Sequence, residues 1–235
     1  MARVFIDYLP SSADRYLPET AVVAVDVFRT TTTAVTCGAT GRRCYPAASV
    51  DDAMTMAGRL EDPLLVGESG GDRPEGFHMD NSPAQIAART DVWRAAVIAS
   101  SSGAPLICRA AGRPGVYAAS LRNLTAQVKH LAGLHEEVAV IGAGTRGAFR
   151  EEDQLGCAWL ASGLLAAGYQ PGNAETAAMV DRWEGQPVEA ILQSDSVTWL
   201  RRTGKDEDID FVLTHVDDVD LVLALRDREL VAVCG

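Results

Sequence analysis

The sequence predicts an α/β fold, layered α/β/α, with a largely parallel or mixed central sheet and a β-rich C-terminal edge. Three observations carry that expectation. Short runs of Val, Ile and Leu alternate with Ala-rich stretches of helical periodicity, as in repeated strand–helix units whose sheet is covered on both faces. The composition, 47% hydrophobic and 23% charged over 235 residues, is that of a globular chain. Finally, the strand-to-helix junctions are unusually polar, and ligands of open α/β sheets gather at those junctions.

Taken in order, strands are expected over 21–27, 43–46, 64–67, 95–99, 115–118 and 137–142, each a short apolar run ended by turn residues. Helices are expected over 31–39, 49–60, 83–89, 105–111, 121–134, 152–167 and 187–202. Ser49 stands three residues before Asp52, and Ser82 precedes Pro83, so both serines are placed to cap. Residues 209–233, with Asp217, Asp218, Asp220 and Asp227 in their turns, read as added edge strands. One unit spanning 1–235 is expected, with two closely packed subdomains dividing near residue 135 as its variant.

The formal net charge is −11 and no five-residue run is basic, which argues against a nucleic-acid groove or an anionic membrane surface. An anionic ligand must therefore be held by local geometry. The five cysteines are odd in number and lack a Cys-x-x-Cys pair, so they read as reduced, mostly buried thiols. No apolar stretch reaches the roughly 18 residues of a membrane span, residues 1–14 lack a signal-peptide core, and a cytoplasmic location is expected.

Chemistry concentrates at four junctions. Asp26-Val27-Phe28-Arg29-Thr30-Thr31-Thr32-Thr33 joins an acid, a guanidinium and hydroxyls at a helix start, a combination suited to a phosphate and a hard cation. Gly67-Glu68-Ser69-Gly70-Gly71, running on to Asn81-Ser82-Pro83, is a glycine-rich loop in which Glu68 could serve as metal ligand or base. Ser100-Ser101-Ser102-Gly103 could form an anion nest. Gly142-Ala143-Gly144-Thr145-Arg146-Gly147 precedes Glu151-Glu152-Asp153 at a helix start, where acids also favour the helix dipole.

Lookalike motifs need weighing. Gly142-x-Gly144-x-x-Gly147 matches a dinucleotide fingerprint and keeps a dinucleotide-dependent oxidoreductase as an alternative, although the acids at 151–153 would repel a pyrophosphate. Cys37 and Arg43 have the spacing of a cysteine-phosphatase loop, but Cys37 falls inside a helix. Phe28 stands where a haloacid dehalogenase-type phosphatase needs its second aspartate.

The whole set resembles the 2-phosphosulfolactate phosphatase family, magnesium-dependent enzymes of coenzyme M biosynthesis with many bacterial relatives. Asp26-Val27-Phe28-Arg29-Thr30 with Thr32-Thr33, Gly67-Glu68 with Gly70-Gly71, Gly76-Phe77 with Asn81-Ser82-Pro83, and Ser120-Leu121-Arg122-Asn123 are similar to its blocks. So are Ala143-Gly144-Thr145 with Glu152-Asp153 and Cys157-Ala158, and the closing segment 196–208. Ser69 departs from the family's Arg after Gly-Glu, His78-Met79-Asp80 from its Asp-Leu-Gly, and Ser102-Gly103-Ala104 from its Asn-Gly-Thr.

The resemblance implies catalytic Asp26, Arg29, Glu68 and Asp153, with Asp26, Glu68 and Asp153 as ligands of Mg2+. It implies phosphoryl contacts from Thr30, Asn81 and Asn123, and a contact from Arg122 to a second acidic group. Thr31, Ser82, Ser101, Ser102 and Thr145 complete the expected substrate site. The expected reaction is hydrolysis of a small phosphorylated hydroxy acid, such as (R)-2-phospho-3-sulfolactate to 3-sulfolactate and phosphate. A non-catalytic anion-binding homologue is the further alternative. The expected partners are a small anionic phosphate ester and, in a homodimer, a second copy of the chain, with neither nucleic acid nor membrane.

Overall fold

In a computed structural model that describes residues 1–233, the α/β expectation holds. The first half runs β1 (Arg3–Tyr8), a 3-10 turn (Pro10–Arg15), β2 (Ala21–Val25), α1 (Thr30–Ala39), β3 (Cys44–Ala47), α2 (Val50–Ala57), β4 (Leu64–Gly67), α3 (Pro83–Ala87), β5 (Ala96–Ala99), α4 (Gly103–Arg109) and β6 (Val116–Ala119). A 3-10 turn (Leu121–Asn123) then leads into α5 (Leu124–Leu131), β7 (Glu137–Gly142), α6 (Glu151–Ala166), β8 (Gln170–Pro171) and α7 (Ala174–Trp183). A last 3-10 turn (Val188–Gln193), α8 (Asp195–Arg202), α9 (Asp206–Thr214), β9 (Val222–Arg226) and β10 (Glu229–Val233) complete the described chain.

β2 shows why the sheet is two-sided. Val23 and Val25 pack with α5, α6 and α7, whereas Val22 and Ala24 pack with α1, α3 and α4. Successive side chains of a strand point to opposite faces, so an uninterrupted apolar run needs cover on both. Each fully buried valine contributes roughly 1.5–3 kcal/mol. A further cluster seats α2, through Ala53 and Met56, on Tyr45, Leu65 and Val97. Ser49 and Ser82 cap as expected, accepting the N–H groups of Asp52 and Gln85.

The strand order is β4-β5-β3-β10-β9-β6-β2-β7-β1-β8. Two parallel blocks, β4-β5-β3 and β6-β2-β7-β1-β8, are joined by the antiparallel hairpin β9–β10. β7 lies between β1 and β2, so segments from both sides of residue 135 share one block. From β3 to β6 the pairing reverses at each step, and a flat sheet would therefore point the two blocks in opposite directions. Yet Gly103, after β5, is so close to Asp26, after β2, that an added Cβ would lie 2.2 Å from Asp26 Oδ2. The sheet accordingly twists strongly across the hairpin, which meets β3 at a single paired position, Leu230 opposite Cys44.

Several elements depart from the sequence expectation. β1 was not anticipated, because only Val4 and Ile6 carry its buried face. Gln170–Pro171, outside the expected strands, pairs with β1, and α7 is an additional helix capped by Asn173. The helix expected over 187–202 is broken, since Ser194 restarts it as α8 by accepting the Val197 N–H. The β-rich reading of 209–233 fails at its start, where the acids Asp206, Glu207 and Asp208 open α9. Nor do the C-terminal strands form an edge, since β9–β10 is inserted mid-sheet around a turn in which Asp227 and Arg228 both have positive φ. Cys37, Cys44 and Cys157 are buried free thiols and Cys108 is half-buried, while Cys234 lies outside the described residues. No described helix is long and apolar enough to cross a membrane.

Candidate active site

The loops that follow β2, β4, β5 and β7 meet at a cleft of about 460 Å3, closed on another side by α8. Asp26, Arg29, Thr30, Glu68, Asn81, Ser101, Ser102 and Thr145 all line it. The site is thus built at strand ends, as the open-sheet rule requires.

The first junction is fastened by its threonines. Thr31 Oγ1 accepts the Asp26 N–H at 2.8 Å and donates to the Asp26 carbonyl at 2.9 Å, while Thr32 and Thr33 donate to the carbonyls of Val27 and Arg29. Thr31 therefore shapes the elbow and does not line the cleft. The Thr30 N–H donates to Asp26 Oδ1 at 3.1 Å. Burial pushes the Asp26 carboxyl above its ordinary range, against the Thr30 hydrogen bonds, and the neighbouring Glu68 charge pushes it the same way.

Glu68 joins two loops. Its Oε1 accepts the Ser101 N–H at 2.6 Å, and its Oε2 accepts the Gly71 N–H at 2.7 Å and the Ser101 hydroxyl at 2.9 Å. Gly71 has φ +100°, and an added Cβ would lie 2.8 Å from Trp199 of α8, so this glycine lets the helix close over the loop. Asn81 is buried and its Oδ1 has no partner among the described residues. Arg29 is also buried. Its Nη1 donates to Asp208 Oδ2 at 2.8 Å, and its Nη2 stands 3.7 Å from Asp80, which Lys205 approaches to 2.6 Å.

Asp153 is placed differently from the expectation that made it a third metal ligand. It is buried outside the cleft lining, with Oδ1 accepting the Val27 N–H at 2.9 Å and Oδ2 accepting the Gly144 N–H at 3.0 Å. It ties the loop after β2 to the loop after β7. Burial, then the charges of Asp26 and Glu152, hold its carboxyl well above the usual range. Among the described residues no group of three or more His, Cys, Asp or Glu side chains is arranged to hold a metal. Asp26 and Glu68 remain, a hard-oxygen pair beside the unpartnered Asn81 oxygen. That set fits Mg2+, which is commonly held by one or two carboxylates together with substrate phosphate oxygens.

The other expected substrate ligands are engaged elsewhere. Arg122 grips Asp218 with Nε and Nη2 at 2.9 and 2.7 Å and donates to Thr36 through Nη1. Asn123 accepts the Ser120 N–H and donates to the Leu221 carbonyl. Both anchor the chain that enters β9. Ser82 caps α3 and donates to Asp208. Residues without an expected role also reach the cleft, namely Arg146, Arg150, Asp195, Thr198, Trp199 and Arg202. The spacing of Asp195, Thr198, Trp199 and Arg202 on one helix face was the signal that could have found the last four.

The loop after β7 does not bind a pyrophosphate. An added Cβ on Gly142 would lie 2.3 Å from the Phe149 ring, the Gly144 N–H is taken by Asp153, and Thr145 and Ala148 bond each other. The amides a dinucleotide would need are occupied, so the oxidoreductase alternative fails.

Comparison with known proteins agrees with this geometry. The family described as 2-phosphosulpholactate phosphatase matches residues 8–228. A protein of Deinococcus radiodurans named "Probable 2-phosphosulfolactate phosphatase" is 34% identical over 214 residues, covering 89% of this chain and 88% of its own. Proteins of the same name from Thermus thermophilus, at 32% identity, and Synechococcus sp. (strain RCC307), at 29%, cover 89% and 88% of this chain and 89% of their own lengths. With those strand-end residues in one cleft and a match across nearly its whole length, the chain belongs to the 2-phosphosulpholactate phosphatase family of phosphoric monoester hydrolases.

Proposed function

We propose that this protein hydrolyses 2-phospho-3-sulfolactate to 3-sulfolactate and inorganic phosphate, with Mg2+ held by Asp26 and Glu68. The observation that carries the reading is the meeting of Asp26, Arg29, Glu68 and Asn81, from two separate loops, at one cleft. The names of the relatives supply the substrate. Phosphoryl transfer asks a protein mainly for positioning and charge neutralisation. A bound Mg2+ would neutralise phosphoryl oxygens. The chain itself contributes the Arg29 guanidinium, anchored by Asp208 and Asp80, and the Ser102 hydroxyl at the cleft wall. Asp153 is a positioning residue, holding two of the loops in register. The buried free thiols suit a reducing cytoplasm.

The test is phosphate release from 2-phospho-3-sulfolactate with Mg2+ and with EDTA. Release should require the metal and fall at least about a hundredfold in Asp26→Asn, the scale of one lost electrostatic element. Undiminished turnover in EDTA would remove the metal from this reading.

A further inference from the structure

The substrate of the proposed reaction carries, besides the reacting phosphate, a carboxylate and a sulfonate. Arg122, the residue that the family resemblance offered to a second acidic group, is bound bidentately by Asp218. We infer that Arg146, Arg150 and Arg202 form a second anion subsite at the rim of the cleft, which selects substrates by their sulfonate group; this rests on the phosphatase reading above.

The charge inventory of the cleft singles these residues out. Of its four arginines, only Arg29 is buried and compensated, by Asp208 and Asp80. Arg146 and Arg202 line the same cleft and have no hydrogen-bond or ion-pair partner among the described residues. Arg150 pairs with Asp195, but that carboxylate is 83% exposed and its hold is weakened by solvent screening. The Nε of Arg150 is buried with no acceptor among the described residues, and a buried donor left unpaired is costly unless a ligand completes it.

The three guanidinium groups come from two elements. Arg146 and Arg150 belong to the loop after β7, and Arg202 lies on the α8 face that also presents Thr198 and Trp199 to the cleft. That both elements line this one cleft is a property of the fold. Asp26 and Glu68 line the same cleft as carboxylates, so the non-reacting anions of a bound ester are drawn towards the arginines. A sulfonate offers three acceptor oxygens, enough to engage several guanidinium groups at once through charge-assisted hydrogen bonds. In a chain with a net charge of −11, this local excess of cations is what an anionic tail would find attractive.

The test compares Arg146→Gln, Arg202→Gln and the double variant on two esters, 2-phospho-3-sulfolactate and 2-phospholactate, which lacks only the sulfonate. The ratio of the two kcat/KM values should fall about tenfold in each single variant and about a hundredfold in the double, mostly through KM. Calorimetric titration with 3-sulfolactate, which needs no turnover, should show the same loss of affinity. An equal loss on both esters, or 3-sulfolactate binding unchanged in the double variant, would overturn the subsite. If the parent protein released phosphate from neither ester yet bound 3-sulfolactate, and the double variant did not, the hydrolysis reading would fall while the subsite stood.

Discussion

Asp26 is held by the Thr30 N–H of its own junction and Glu68 by the N–H groups of Gly71 and Ser101, whereas at the rim of the same cleft Arg146 and Arg202 stand exposed without partners among the described residues. The acids are ordered before any ligand arrives. The arginines keep their rotamer freedom until an anion orders them. Donors and acceptors fixed in advance cost no reorganisation during reaction, which suits the end where bonds break. Mobile charges suit recognition, where the ligand itself completes the geometry. For Asp26 the contrast follows from burial, since a buried carboxylate must be hydrogen-bonded while an exposed guanidinium can rely on water.

The largest expected effect strikes the ordered end. Gly103 lies against Asp26 and Thr30, with an added Cβ 2.2 Å from the carboxylate and 2.6 Å from Thr30 Cβ. Gly103→Ala should therefore displace the Asp26 carboxylate and lower phosphate release on the order of a hundredfold. Release within about twofold of the parent would mean that the ordered end tolerates displacement, and the contrast with the rim would break.

The next effect is one of pH. Because the Asp153 carboxyl is raised in the folded chain, the native state keeps a proton that the unfolded chain releases as pH climbs past the ordinary value of 3.8. The stability tied to that proton is complete below 3.8 and is lost as pH rises through the raised native value. Asp153→Asn has no such loss. In EDTA, the melting temperature of the variant minus that of the parent should grow from pH 4 to pH 8 by several degrees, at roughly 2–4 °C per kcal/mol for a chain of this size. A flat difference would mean that Asp153 charges without penalty.

The smallest effect separates scaffold from rim. Arg122→Gln removes a bidentate pair with Asp218 and a bond to Thr36, and should lower the melting temperature by about 4 °C. KM for 2-phospho-3-sulfolactate should stay within about twofold, because a residue that only anchors the scaffold adds nothing to substrate binding. A tenfold rise in KM at unchanged stability would return Arg122 to the substrate and take the sulfonate away from the rim.

The sequence made the junctions legible. Asp26, Arg29, Thr30 and Glu68 stood out because acids, hydroxyls and glycines gather at the ends of apolar runs, the family resemblance added Asn81, and the structure brings all five to one cleft. Arg146 was in view as part of a glycine loop but carried no role, and Asp208 was seen as part of a closing segment without its contact to Arg29. β1 escaped because it buries only alternate residues, and the β-rich reading of 209–233 failed because three acids mark a helix start more strongly than the flanking apolar residues mark a strand.

Local sequence by itself determined the alternation of strand and helix, the caps at Ser49 and Ser82, and the chemistry offered at each strand end, because these depend on periodicity and on groups a few residues apart. Only the tertiary structure decided that Asp153 braces two loops outside the cleft, that Arg122 belongs to Asp218, and that Arg202 and Arg146, without partners among the described residues, line one cleft. The physical reason is distance along the chain. Arg122 meets Asp218 across 96 residues and Arg29 meets Asp208 across 179, and which partner an ion finds at such separations is settled by the packing of whole elements.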